Sequence, residues 1–151
     1  MSGRFLIGAC ATVFLLTLTV TTQDRFPEGA GKSELIKVCS GCHEPDNVFA
    51  YPQTASEWSE TLKNMAQRGT EATDEEWTAI EQYLHKYVAI IPVNTAQSTD
   101  LVRTMDIAPV TAEAIVEYRK SHGKFMSAMD LKKVPGLDET KVDARRDRLV
   151  F

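Results

Sequence analysis

The residues Cys39-Ser40-Gly41-Cys42-His43 decide how the first part of this chain is organised. They place two thiols one short turn apart and an imidazole directly after the second thiol. Thiols at this spacing can add to the two vinyl groups of a porphyrin, and the imidazole can then reach the iron from one face. The small Ser40 and Gly41 let the backbone pass close to the ring. The stretch therefore predicts one covalently attached haem c, with Cys39 and Cys42 as attachment points and His43 as an axial iron ligand.

Two other interpretations of the cysteine pair compete with haem. A redox-active dithiol of the thioredoxin type would lie between a strand and a helix and needs no histidine after it. A zinc site would need a second pair of ligands, and no cysteine follows Cys42 in the 151 residues. The third cysteine, Cys10, has no partner for a disulfide. Haem attachment is therefore the interpretation that we favour.

Residues 1–22 have the pattern of an export signal. Arg4 precedes an uncharged run over residues 5–22 whose centre is strongly apolar. The run is also at the lower limit of length for crossing a bilayer, so an uncleaved membrane anchor is the alternative. Either interpretation predicts a periplasmic or otherwise extracytoplasmic protein. If the run is not cleaved, residues 5–22 would anchor the protein to the membrane.

Three short helices are predicted in residues 23–91, from apolar residues at helical spacing and from capping residues at the helix starts. They cover about 33–38, 56–68 and 73–88. We expect Ser56 to cap the second helix and Thr73 to open the third with a capping box. A domain this small has a thin core, so a haem packed against Trp58 and Trp77 would supply the missing apolar bulk.

Met65 is the predicted second axial ligand of the iron. It lies near the end of a helix and just before Arg68-Gly69, where the chain can turn across the far face of the ring. A thioether is a soft ligand that suits haem iron. The rival ligand is His85, which falls off the apolar stripe and is expected to be solvated. Ordinary core filling by Met65 is the other possibility, and the methionines next in line would be Met105, Met126 and Met129.

This stretch resembles the small class I-type cytochrome c domains. The matching residues are the haem motif at 39–43, then Trp58, Met65-x-x-Arg68-Gly69, Thr73-x-Glu75-Glu76 and Tyr83-Leu84. The resemblance implies an all-α haem domain over residues 23–91 in which His43 and Met65 bind the iron. It also implies single-electron transfer and no enzymatic activity, with a peroxidase-like activity only if Met65 is not a ligand.

The charge of this region predicts the kind of partner that such a protein would meet. Residues 24–91 carry six Lys and Arg against twelve Asp and Glu. An acidic haem protein is steered towards a basic docking patch. We therefore expect a redox protein or a membrane-bound electron-transfer complex as the partner.

Residues 92–151 contain an internal repeat. One copy begins at Leu101 and the other at Leu131, and each predicts a short helix, a tight hairpin and a second helix. Together with Ala112-x-Ala114-Ile115-Val116-x-Tyr118-Arg119, the repeat resembles the tandem helix-hairpin-helix domain of competence-type DNA-uptake proteins. The predicted fold is therefore all-α, a minimal cytochrome c domain followed by a tandem helix-hairpin-helix domain.

The hairpins of that family bind DNA phosphates through backbone N–H groups next to two glycines each. The corresponding positions here are Asp106 and Ala108 in the first hairpin and Gly136 and Asp138 in the second. Two carboxylates thus stand where phosphates would lie, and residues 92–151 carry ten Lys and Arg against nine Asp and Glu. The basic cluster Arg145-Arg146-x-Arg148 has the pattern of a solvated helix face.

These substitutions, with the net charge of −4 for the whole chain, argue against DNA as a partner. The sequence alone thus predicts an extracytoplasmic electron carrier whose helix-hairpin-helix domain is a protein-docking or structural module. The alternative is a haem-bearing DNA-binding or DNA-uptake protein.

Overall fold

The computed structural model describes residues 25–151, which are mostly helical, as predicted. The predicted signal or anchor at residues 1–22 lies outside this part of the chain. Among the described residues, no helix combines the length and the apolar character needed to cross a membrane. The elements in chain order are α1 Lys32–Cys39, a 3-10 helix Pro45–Phe49, α2 Ala55–Gln67, α3 Asp74–Tyr83, a π-helical turn Leu84–Val88, β1 Ile91–Pro92, α4 Ser98–Met105, α5 Pro109–His122, α6 Ala128–Leu131, α7 Glu139–Asp143, a 3-10 helix Arg146–Arg148 and β2 Leu149–Val150.

Capping residues set where α2 and α3 begin. The predicted capping box at Thr73 is present at the start of α3. At α2, however, the cap is Thr54, whose hydroxyl accepts from the Glu57 backbone N–H while the Glu57 carboxylate accepts from the Thr54 N–H. The prediction of Ser56 as cap is therefore wrong, because the Thr-x-x-Glu pair satisfies two backbone donors at once. The Ser56 hydroxyl instead donates to Asp100 over 2.8 Å.

The helix that starts at Thr73 runs to Val88 as predicted, but its last turn is π-helical. The Ala89 N–H donates to the Leu84 carbonyl, five residues back, over 2.8 Å. A π turn holds more residues than an α turn and shifts the face that each residue occupies. As a result, the three consecutive side chains of Tyr83, Leu84 and His85 are all buried.

The prediction that His85 is solvated is therefore wrong. Its side chain is 4% exposed, and its Nε2 lies 3.2 Å from the Ser59 hydroxyl and 4.0 Å from the Glu81 carboxylate. Burial lowers the pKa of this imidazole, against the raising effect of Glu81. His85 is a core residue of the first half of the chain.

Buried side chains form two cores. The first contains Phe26, Leu35, Cys39, Val48, Ala55, Trp58, Leu62, Ile80, Tyr83, Leu84 and Ala89. The second contains Ile91, Val93, Ala96, Leu101, Met105, Ala112, Ile115, Phe125, Ala128, Leu131, Val134, Leu137 and Val142. The first core holds together the elements from α1 to the π turn, and the second holds together α4 to α7.

Short polar contacts join the elements around the second core. The strands β1 and β2 pair in parallel, with Ile91 opposite Leu149. The Asn94 side chain both donates to the Phe125 carbonyl and accepts from the Phe125 N–H, over 2.9 and 2.8 Å. Arg119 donates to two more carbonyls in the segment before α4. The loop between β1 and α4 is thereby fixed to the rest of the helix-hairpin-helix region.

The arginine cluster at 145–148 does not form a solvated basic face. Arg145 is buried and donates to the Thr104 carbonyl over 3.0 Å. Arg148 donates to the carbonyls of Lys86 and Ala89 over 2.7 and 2.9 Å. These carbonyls lie at the end of the π turn, where helical hydrogen bonding stops. Two of the three arginines therefore fix the structure, and only Arg146 is fully exposed.

Candidate functional sites

The four residues predicted to hold haem lie around one cavity between α1, α2 and α3. Its volume is about 300 Å³, at the small end of the range for ligand pockets. Most of its surface is apolar. The lining residues are Val38, Cys39, Cys42, His43, Met65, Arg68, Thr70 and Trp77.

The end of α1 places the two cysteines at this cavity. The N–H groups of Cys42 and His43 both donate to the Cys39 carbonyl over 3.2 Å, which closes a tight turn. Both thiols are free; Cys39 is buried and Cys42 is exposed. Burial raises the pKa of the Cys39 thiol. A raised pKa is the opposite of what a thioredoxin-type dithiol needs, because the reactive form there is the thiolate.

His43 is oriented by its neighbour in the chain. Its Nδ1 lies 2.9 Å from the backbone oxygen of Glu44. Because a carbonyl can only accept, Nδ1 carries the proton in the neutral ring, and Nε2 keeps a lone pair. A carbonyl partner of this kind is typical of histidines that bind a metal through the other nitrogen.

Met65 lies in the last turn of α2 and is half-buried. The helix ends at Gln67, and Gly69 follows with a φ of 93°, in agreement with the predicted stop. None of the other candidate ligands lines the cavity. Met105 is buried in the second core, and Met126 and Met129 are exposed near α6.

Two observations bear on whether this cavity suits a porphyrin. The indole N–H of Trp58 is buried without a hydrogen-bond partner among residues 25–151. Trp58 belongs to the same core as Cys39, but it is not among the residues that line the cavity. In addition, no group of three or more His, Cys, Asp or Glu side chains in residues 25–151 could hold a metal ion. The donor set around the cavity, with two thiols, one imidazole and one thioether on a mainly apolar lining, nevertheless fits a group that brings most of its iron ligands with it.

The first hairpin, between α4 and α5, keeps its shape without glycine. Asp106 has a φ of 54° and is the one non-glycine residue in residues 25–151 with a positive φ. Aspartate tolerates this left-handed conformation better than most side chains. Its N–H donates to the Val102 carbonyl over 3.0 Å and closes α4. Asp106 therefore takes the conformation that a glycine would have at this position of the predicted hairpin.

The Asp106 carboxylate is surrounded by cations. It lies 2.9 Å from the Lys141 ammonium, 3.8 Å from the Arg145 guanidinium and 3.9 Å from the Lys86 ammonium. The hydrogen bond from Lys141 is the main reason that the pKa of Asp106 lies below its usual range. We call Asp106, Lys86, Lys141 and Arg145 the hairpin cluster. Its three cations outweigh one carboxylate, so its net charge has the sign that attracts a phosphate.

The two hairpins differ at the helix that follows each of them. In the second hairpin, the Asp138 carboxylate accepts from the Thr140 N–H over 2.8 Å and caps α7. In the first hairpin, α5 begins after Ala108 with Pro109 and has no side-chain cap. The N-terminus of a helix attracts anions through its N–H groups and its dipole. The first hairpin thus leaves this position open, whereas the second fills it with its own carboxylate.

Comparison with known proteins identifies the second half of the chain. Residues 88–150 match the family model of the helix-hairpin-helix motif, and they form a helix-hairpin-helix domain. An uncharacterized protein of Haemophilus influenzae is 37% identical over 60 residues, 39% of this chain and 54% of its own length. ComE operon protein 1 of Bacillus subtilis is 37% identical over 51 residues, 34% of this chain and 25% of its own length. The chain thus matches about half of the first relative and a quarter of the second. No solved structure matches the chain significantly.

These findings correct the predicted partners and the predicted role in electron transport. The sequence predicted a redox protein as the partner, and DNA was not expected. The helix-hairpin-helix match and the similarity to ComE operon protein 1 point to DNA binding instead. The Asp106 carboxylate, which was expected to repel a phosphate, is surrounded by three cations. The family match begins at residue 88, so the haem residues stay a prediction.

Proposed function

We propose that this protein binds double-stranded DNA outside the cytoplasm through the first hairpin of its helix-hairpin-helix domain. The observation that carries the proposal is the hairpin cluster. Asp106 keeps the left-handed turn that glycine would provide, and Lys86, Lys141 and Arg145 outweigh its charge. The resemblance to competence-type DNA-uptake proteins and the match to the helix-hairpin-helix motif support the same assignment.

The expected contact is to the phosphate backbone and not to base edges. The backbone N–H of Val110 at the start of α5 and the ammonium groups of Lys86 and Lys141 are the donors for phosphate oxygens, because Pro109 has no N–H and those of Thr111 and Ala112 donate to the Ala108 carbonyl. Such contacts carry no direct sequence information. Binding should therefore be similar for duplexes of different sequence and should weaken as salt rises.

We further propose that the cavity at the end of α1 holds one covalent haem c. Cys39 and Cys42 would form the thioether bonds, and His43 Nε2 and the Met65 sulfur would be the protein's ligands to the iron. The bound haem would supply a redox-active iron. The residues around it would exclude water, since the cavity lining is mainly apolar. The proposal assigns no catalytic step to this site.

The extracytoplasmic location belongs to the proposal as well. The apolar run at residues 5–22 is the first reason for it. The second is that haem attachment to this motif takes place outside the cytoplasm in the proteins that residues 23–91 resemble. Outside the cytoplasm the protein would meet DNA that arrives from the environment.

The test is a salt titration of DNA binding by the full chain, with fluorescently labelled duplexes of two unrelated sequences. We expect binding to both duplexes, with log Kobs falling linearly against log salt at a slope of roughly −2 for two lysine contacts. Lys141→Gln should make the slope shallower by about 1. The matched control is Lys120→Gln, an exposed lysine of α5 that pairs with Glu117 and should change nothing. Absence of salt-dependent binding by the unmodified chain would contradict the proposal.

A further inference from the structure

Lys86 contributes to the hairpin cluster from outside the helix-hairpin-helix domain. It lies in the π turn that ends the first half of the chain, two residues before the family match begins. Its ammonium is 3.9 Å from the Asp106 carboxylate, and its side chain is 45% exposed. The first half of the chain therefore places one accessible cation beside the first hairpin.

The backbone of Lys86 is fixed in this position by Arg148. The guanidinium donates to the Lys86 carbonyl over 2.7 Å and to the Ala89 carbonyl over 2.9 Å. The same group lies 3.3 Å from the carbonyl of Thr104, in the last turn of α4 and two residues before Asp106. Because one half-buried guanidinium binds both the π turn and the end of α4, the two elements are held next to each other. The position of Lys86 beside Asp106 follows from this arrangement.

The cations of the cluster differ in their access to solvent. Arg145 has only a tenth of its side chain exposed, and its Nε is engaged by Thr104. Lys141 and Lys86 are a third and almost a half exposed. The single carboxylate of Asp106 binds Lys141 at hydrogen-bond distance and Lys86 only at the outer limit of an ion pair. Lys86 is therefore the cation of the cluster most available to a new anion.

We propose that Lys86 contacts a DNA phosphate, so that the DNA-binding surface extends from the first hairpin onto the cavity-bearing half of the chain. This inference rests on the proposed function, because it names a further contact in the same interface. It adds that the two halves bind one ligand together. The duplex would then lie against the end of the helix that starts at Thr73, and not against the helix-hairpin-helix domain alone.

The experiment compares the salt dependence of duplex binding by the full chain and by its Lys86→Gln variant. We expect the variant to bind a labelled duplex about threefold to tenfold more weakly at low salt, with a slope shallower by about 1. The control is Lys63→Gln in α2, because Lys63 also lies outside the family match. It is 65% exposed and pairs with Glu60 over 3.8 Å, which makes its surroundings similar to those of Lys86. Lys63→Gln should bind like the unmodified protein, and circular dichroism should show the same helix content in all forms.

Three outcomes would overturn the inference, and they are distinguishable. If Lys86→Gln keeps the full slope while Lys141→Gln lowers it, DNA binds at the hairpin without Lys86 and the proposed function stands. If Lys63→Gln lowers the slope as much as Lys86→Gln does, the effect comes from overall charge and not from a contact. If the unmodified chain does not bind DNA, the proposed function fails and the contact fails with it.

Discussion

The guanidinium of Arg148 lies 2.9 Å from the backbone oxygen of Ala89, and this hydrogen bond connects the helix-hairpin-helix domain to the end of the preceding helix. Further bonds reach the carbonyls of His85, Lys86 and Thr104. Burial lowers the pKa of Arg148 to about 10, which still leaves the group charged at neutral pH. One side chain thus satisfies the carbonyls that the helix end leaves without partners.

Replacing Arg148 should therefore destabilise the whole protein. We expect Arg148→Met to lower the free energy of unfolding by about 2–4 kcal/mol, because several buried carbonyls lose a charged donor. Urea unfolding followed by circular dichroism measures the change. The control is Arg146→Met, which alters an exposed arginine of the same cluster and should cost less than about 0.5 kcal/mol. Equal effects of the two substitutions would contradict the structural role of Arg148.

The charge of Asp106 should weaken DNA binding without being needed for the hairpin. Asp106→Asn keeps the size of the side chain and tolerates the left-handed conformation. It removes a repulsion of roughly 1 kcal/mol between carboxylate and phosphate, so we expect about fivefold tighter binding at low salt. Glu60→Gln removes one negative charge from α2 and is the control for net charge. Weaker binding by Asp106→Asn would mean that the carboxylate organises the site.

The start of α2 offers a test of which hydroxyl is the helix cap. Thr54→Ala removes the acceptor for the Glu57 N–H and should cost about 1 kcal/mol of stability. Ser56→Ala removes one exposed hydrogen bond to Asp100 and should cost clearly less. Urea unfolding of both variants gives the comparison. A larger loss for Ser56→Ala would show that the contact to α4 outweighs the capping box.

His85 should make the protein less stable as the pH falls. Burial lowers the pKa of His85 in the folded state below its ordinary value of 6.5, so the unfolded chain takes up the proton first. The stability that His85 contributes is complete above about pH 6.5 and is lost as the pH falls through its folded pKa. Unfolding free energies measured between about pH 7 and 5 should therefore decrease, before the carboxylates titrate. His85→Gln should flatten this decrease, and an equally steep decrease in this variant would contradict the role of His85.

The haem proposal predicts a covalent product. Produced with a c-type haem maturation system, the protein should carry one haem that survives acid-acetone extraction, because thioether bonds do not dissociate. Cys39→Ala with Cys42→Ala should abolish this attachment. Haem that extracts freely from the unmodified protein would contradict the assignment of the cysteines.

The assignment of Met65 needs a separate measurement. Met65→Ala should retain the covalent haem, lower its potential and open the iron to cyanide. Met129→Ala changes an exposed methionine away from the cavity and should leave the spectrum unaltered. If Met65→Ala keeps the sulfur-to-iron absorption band of the unmodified ferric protein, the sixth ligand is another residue.

Short-range patterns in the sequence predicted where helices and turns begin and end better than they predicted which side chains are buried or paired. The capping box at Thr73, the stop at Gly69 and the two hairpins of the repeat all depend on residues close together in the chain, and all are present. The cap at Thr54 was missed although its Thr-x-x-Glu pattern is visible in the sequence. The cavity, too, collects four residues that the haem motif and helix spacing had singled out.

The errors concern residues whose role depends on distant parts of the chain. A π turn buries His85, and apolar periodicity assumes a regular α-helix. The prediction of a solvated face at 145–148 fails because the carbonyl partners of Arg145 and Arg148 lie between 41 and 63 residues earlier in the chain. Likewise, Asp106 was judged by its charge alone, since Lys86 and Lys141 become its neighbours only in the folded chain.

The Asp106 carboxylate decides which anion the neighbouring lysines hold before DNA binds. A lysine pair on a protein surface normally attracts small anions, and a ligand must displace them. Here the protein carries that anion itself, fixed at 2.9 Å from Lys141. DNA binding would then release cations from the duplex but few anions from the protein. The affinity should consequently follow the concentration and type of the cation, and replacing chloride by acetate in the buffer should change it little.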